Sequence, residues 1–201
     1  MEPRMFADVS EVDELVAILA EAGPVSSVLD LGDGGHAQPL VAAGYEVVAA
    51  GPEETPARTF DVALMLGLVV GRQRSDEALR DRLRAAHRAL RPGGLLLFDI
   101  LDGSAVLRHA PSGQFTPDVD GNIRVVRCVR GTVDVDEGIY RVAAQVWRLD
   151  SARVLDRVEE SHAIRFFLPR ELELILDTGG FRLLDTAPAG ELGRLGWARR
   201  R

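Results

Sequence analysis

The apolar run Val28-Leu29-Asp30-Leu31 empties into Gly32-Asp33-Gly34-Gly35, and a second strand-like run follows at 46–50. Between them, residues 40–43, opened near Pro39 and closed by Gly44, read as a short helix. Strand, glycine turn, helix and strand in this order are the start of a parallel sheet. What comes next constrains the chain most. Only nine residues, GPEETPART, separate Ala50 from Phe60, where the next strand candidate begins. Nine extended residues reach at most about 30 Å. A return along a strand of roughly 17 Å and a sideways step of about 5 Å consume nearly all of that. No helix fits, so the chain is predicted to pass straight from its second strand into its third.

Around this unit the pattern alternates between helix and strand. Residues 10–21 place Val12, Leu15, Val16 and Leu19 at helical spacing, with Ser10 and Asp13 as a cap pair and Gly23-Pro24 as the stop. Residues 60–66 form the third strand. Ser75 caps a helix running to about Leu90, with Leu79, Leu83, Ala86 and Leu90 on one face and arginines around the rest. Arg91-Pro92-Gly93-Gly94 reads as a tight turn into a continuous apolar strand at 95–100.

After Asp102 the pattern changes. Residues 123–130, 139–148 and roughly 154–166 alternate apolar and polar, separated by DVDEG and LDSAR, as in an antiparallel sheet with one wet face. Parallel character returns with a helix opened at Pro169 and stopped by Gly179-Gly180, followed by short strands near 182–186 and 192–198. Arg199 to Arg201 read as a frayed tail. The expected organisation is one unit: an α/β domain from 1–102 and 166–201, interrupted by an antiparallel insert at 103–165.

Composition removes whole classes of chemistry. All 24 basic residues are Arg, so Schiff-base catalysis, a Walker-type phosphate lysine and lysine general bases are excluded. The single cysteine, Cys128, excludes an internal disulfide and a multi-cysteine metal site. The four histidines have no ligand-like spacing, and no metal is expected. The longest apolar stretch, 62–70, is too short to span a bilayer, and no signal peptide is evident, so a cytoplasmic protein with no membrane partner is expected. A net charge of −7 argues against broad nucleic-acid binding.

Three stretches together resemble the class I S-adenosylmethionine-dependent methyltransferases. They are VLDLGDGGH at 28–36 with the following AAGYEVV, FDVAL…LRAAHRALRPGGLLLFDI within 60–100, and RFFLPRELELILDTGGFRLL at 165–184. Within that family the chain is most similar to small-molecule methyltransferases with an antiparallel insert after the fifth strand. The resemblance implies an α/β, mainly parallel Rossmann-like sheet, lacking one edge strand here, with an antiparallel β insert. It also implies S-adenosylmethionine as cofactor. The glycine loop, with Asp30, Gly32, Asp33, Gly34, Gly35 and His36, would hold the methionine end; Leu66 and Gly67 would frame the adenine. Three departures fall in this one site. His36 replaces the third loop glycine, Gly51 replaces the acid that would hold the ribose, and the short connection removes a strand and its helix. Glu53 is the candidate replacement acid.

Methyl transfer asks for an in-line nucleophile, exclusion of water and sometimes a base. Candidates near the carboxyl ends of the strands or on the insert are Asp102, His109, Tyr140 and His162. Two functions remain open. One is an enzyme methylating a small molecule through a rebuilt cofactor pocket. The other is a methyltransferase-like protein that does not methylate, serving as a repurposed enzyme such as a cyclase or as a dimer or binding subunit. The loop also fits a dinucleotide fingerprint, Gly32-x-Gly34-x-x-Ala37 with Glu53 downstream, but no hydride-transfer partner accompanies it. The shortened side of the sheet, or the insert, is expected to bind a second copy of the chain.

Overall fold

The computed structural model describes residues 12–21, 23–32, 34–51, 58–110, 114–120, 123–150 and 153–201. Helix α1 (Val12–Glu21) leads into β1 (Ser27–Asp30), α2 (Ala37–Ala42), β2 (Glu46–Ala49) and β3 (Phe60–Met65). Next come α3 (Val69–Arg72), α4 (Asp76–Ala89), β4 (Leu90–Asp102) and α5 (Gly103–His109). The insert strands are β5 (Gln114–Asp120), β6 (Ile123–Asp134), β7 (Ile139–Asp150) and β8 (Arg153–Phe167). The chain closes with α6 (Pro169–Thr178), β9 (Phe181–Ala189) and β10 (Gly193–Arg200).

β1, β2, β3 and β4 are parallel in the order β2-β1-β3-β4, with β10 antiparallel on the far side of β4 and β9 beyond it. Among the described residues β2 pairs with β1 alone and stands at the margin of the sheet, where the short connection placed it. The alternation of strand side chains sorts the core into two layers. Leu29, Ala63, Met65, Leu96, Phe98 and Ile100 pack with Leu79, Leu83 and Ala86 of α4 and Leu172 and Leu176 of α6. Val28, Val62, Leu64, Leu95 and Leu97 pack with Leu15 and Leu19 of α1 and Leu40 of α2 on the other face. Each fully buried aliphatic side chain contributes roughly 1.5–3 kcal/mol, so the two stripes anchor the helices to the sheet. Among the described residues no helix is long and apolar enough to cross a membrane.

The expected turn at residues 91–94 is absorbed into β4 as a bulge. Phe60 faces Leu90 and Val62 faces Leu95, so a two-residue advance on β3 spans five residues on β4. Gly93 has φ +75°, and a Cβ on Gly94 would lie 2.9 Å from the Arg91 carbonyl oxygen. Glycine at this pair therefore lets the chain swell and rejoin the ladder. A second departure concerns the carboxyl terminus, which is not frayed. Arg199 and Arg200 belong to β10, Arg200 donates to the Leu90 carbonyl, and Arg201 pairs with Asp177 while its amide donates to Gly180. Hydrogen bonds formed at a distance hold a tail whose local sequence carries no ordering pattern.

β5–β8 form an antiparallel meander, and β8 joins the main sheet by pairing Phe166 with Leu101 and Phe167 with Asp102. Leu101 also faces Gly193 of β10, so β8 occupies the opposite edge of β4, beyond the point where β3 ends. The insert is thus continuous with the carboxyl end of the sheet. Tyr140, Val142, Ile164 and Phe166 pack there against Leu68, Leu101 and Val106. Its opposite face carries Arg141, Ala143 and Gln145 toward solvent, the wet face expected from the alternation.

Candidate functional site

The carboxyl ends of β1, β3 and β4 meet around two aspartates. Asp30, the last residue of β1, is buried and accepts a 2.8 Å hydrogen bond from the Gly32 amide, tightening the turn out of the strand. A Cβ on Gly32 would lie 2.7 Å from the Leu66 carbonyl oxygen and 3.0 Å from Asp30 Oδ1. Glycine is required here because the loop after β3 presses against it.

The loop after β3 is itself strained. Gly67 has φ +83° and Leu68 φ +59°, a left-handed conformation that is uncommon for a non-glycine residue. Asp99, on β4 directly below, accepts from the Leu68 amide at 2.7 Å and the Gly67 amide at 3.0 Å. Two charge-assisted bonds hold the turn in its costly shape. Asp99 is 3% exposed, and its burial pushes the carboxyl up to about 6 against the partial opposition of these amides and of His36. It is poised to change charge near neutral pH.

Beside this turn lies a cavity of about 140 Å³ lined by Leu31, Gly32, Leu66, Gly67, Val69, Arg72, Gln73 and Arg82. It holds the sequence-predicted residues Gly32, Leu66 and Gly67, with Asp30 and Asp99 behind them. His36 is buried at the N-terminus of α2, close enough to Asp99 to interact electrostatically. Gly34 forms the turn with φ +78° and Gly35 is exposed. Asp33 and Glu53 lie outside the described residues. At the end of β2, Gly51 offers no side chain.

The catalytic candidates do not converge. Asp102 caps α5, accepting from the Ser104 and Ala105 amides, and pairs with Arg194 at 3.3 Å. Its carboxylate is engaged on two sides. Tyr140 is 1% exposed within the cluster joining insert to domain, and burial raises its pKa. That cluster also contains Leu68 of the strained turn. His109 is exposed at the end of α5. His162 is exposed on β8, 3.8 Å from Glu160.

Sequence reading placed the α4 arginines around the rest of that helix and gave none of them a role, and so missed Arg82 and, on α3, Arg72. Arg82 stands three residues after Leu79 and four before Ala86, at the rim of the buried stripe. That spacing was the available signal, because such positions carry side chains along the core boundary. A larger cavity, of about 720 Å³, lies between α6 and β9; its Arg194 and Arg201 are ion-paired, and Arg170 and Arg182 also line it.

No family model matches the chain, and no curated protein matches it in sequence. Solved structures do match. The S-adenosylmethionine-bound amino pentose methyltransferase CalS10 from Micromonospora echinaspora aligns with TM-score 0.73 at 17% identity, over 94% of this chain and 90% of its own. The methyltransferase CcbJ from Streptomyces caelestis aligns with TM-score 0.72 at 17% identity, over 94% and 95% of the two chains. DesVI from Streptomyces venezuelae aligns with TM-score 0.73 at 16% identity, over 92% and 89%. The order of strands, the glycine turn after β1 and this likeness over nearly the whole length agree: the chain has the class I S-adenosylmethionine-dependent methyltransferase fold.

Proposed function

We propose that the protein is an S-adenosylmethionine-dependent methyltransferase-like protein acting on a small molecule, with a rebuilt nucleoside pocket. The observation that carries this reading is the cavity at the carboxyl ends of β1 and β3, where ligands of open α/β sheets bind. Asp30, Gly32 and His36 would border the methionine end of the cofactor, and Leu66 and Gly67 the other side. Bound there, S-adenosylmethionine supplies an electrophilic methyl group. The chain's own part is positional. Asp99 fixes the turn of Gly67 and Leu68 against which ligands rest, and the insert sheet, tied down through Tyr140 and Phe166, restricts water at this end. The ribose end fits less well, because Gly51 provides no carboxylate at the tip of β2.

That misfit supports a second reading, in which the fold has stopped methylating and serves as a repurposed enzyme or as a binding or dimer subunit. Calorimetric titration with S-adenosylmethionine and its demethylated product separates the two. Micromolar binding of either supports the methyltransferase reading; absence of both at millimolar concentration removes it. We further propose a homodimer through the open edge of β2 or the insert, checked by chromatography with light scattering; a monomer at high micromolar concentration rejects it.

A further inference from the structure

Three backbone amides at the small cavity are already engaged. The Gly32 amide donates to Asp30, and the Gly67 and Leu68 amides donate to Asp99. Positive charge reaches the cavity instead through side chains. Arg72, at the end of α3, and Arg82, from α4, both line it. Among the described residues neither forms an ion pair or a side-chain hydrogen bond, whereas Arg80 and Arg84, also on α4, pair with Asp76 and Asp81. Arg82 Nη1 is shielded from solvent and has no hydrogen-bond partner. A half-buried guanidinium with an unmet donor is costly to a fold unless something outside the chain meets it.

We propose that Arg72 and Arg82 form a binding site for the phosphoryl group of a phosphorylated small molecule, seated between the β1 turn, the β3 turn and α4. Two unpaired cations on one cavity match a group carrying close to two negative charges at neutral pH, as a phosphate monoester does, better than a carboxylate carrying one. The guanidinium fork suits phosphate oxygens geometrically. Burial lowers the Arg82 pKa from its ordinary value, consistent with a group withdrawn from water and lacking a counter-charge. This differs from the methyl-donor reading, since S-adenosylmethionine contains no phosphate, and because both readings use the same cavity the two ligands would compete for it.

The test is calorimetric titration of the full chain with inorganic phosphate at constant ionic strength, with acetate as the singly charged comparison. Saturable phosphate binding is expected, at least tenfold tighter than acetate. It should weaken at least tenfold in Arg82→Met and several-fold in Arg72→Gln, and stay unchanged in Arg84→Gln. Arg72 is exposed, so its variant keeps the test valid if Arg82→Met folds poorly. No saturable phosphate binding, acetate binding as tight as phosphate, or equal phosphate binding in Arg82→Met, Arg72→Gln and the wild type would overturn the assignment. A parallel titration with S-adenosylmethionine reads the proposed function separately, so either reading can fail without the other.

Discussion

At the amino ends of β1 and β3, Asp61 accepts the Ser26 and Ser27 amides and both hydroxyls on one oxygen, while Arg91 meets the other. At the carboxyl ends, Asp99 accepts two amides in a strained turn, and among the described residues Arg72 and Arg82 stand without counter-ions. Burial pushes both aspartates toward the neutral form. At Asp61 the serine donors outweigh burial and hold the carboxyl well below its ordinary 3.8; at Asp99 burial wins and lifts it to about 6. The difference lies in how fully each charge is met. One end of the sheet is closed polar joinery, and the other keeps unspent charge, as a ligand-binding end does.

The largest effect expected from breaking this contrast is at the satisfied end. Asp61→Ala should destabilise the protein by about 3 kcal/mol in urea denaturation, because five donors lose a charged acceptor at once. Since its folded pKa is depressed, the stability Asp61 provides is complete above the ordinary 3.8 and is lost as pH falls below it.

Asp99 should show the opposite sign. Its folded pKa is raised, so the native state takes up a proton that the unfolded chain releases. Its contribution to stability is fullest below 3.8 and is lost as pH rises through about 6. Denaturation of Asp99→Asn and the wild type across this range should show their stability difference drifting by about 3 kcal/mol and levelling above it. A difference that stays flat would mean that Asp99 binds its proton alike in the folded and the unfolded chain.

A smaller loss is expected at Gly32→Ala. The new methyl would press on the Leu66 carbonyl at 2.7 Å, costing about 1.5 kcal/mol in thermal or urea unfolding. The smallest effect has the reverse direction. Arg82→Met keeps an apolar stem in place of the arginine methylenes and removes the unmet donor, so it should stabilise the fold by about 1 kcal/mol. Destabilisation instead would mean that the guanidinium serves packing, and would erase the contrast between the two ends.

Much of the architecture was legible because it is written locally. The apolar run before Gly32, Ser75 as a cap and the Pro169 helix start each depend on residues a few positions apart, whereas the turn read at 91–94 proved to be a bulge within β4. The insert's alternation identified β6, β7 and β8, while α3, α5 and β5 were not read from the sequence. Site chemistry was less legible. Asp102 resembled a catalytic acid by its place at a strand end, yet Arg194, distant in sequence, arrives to pair with it. Arg199–Arg201 resembled a loose tail until Leu90, Gly180 and Asp177 met them in space. Whether a charge is met depends on partners that spacing does not reveal.

By itself the sequence determined the parallel start of the sheet, its shortened side and the glycine turn, since periodicity, chain reach and backbone freedom act over short stretches. The expected return of parallel character gave way to antiparallel β9 and β10. Only the tertiary structure decided which charges are neutralised. It joined Asp61 to the Ser26-Ser27 pair and Arg91, placed Asp99 under the Leu68 turn, and left Arg72 and Arg82 facing one cavity. Electrostatic energy depends on distance and burial, and those are set when separate segments pack together.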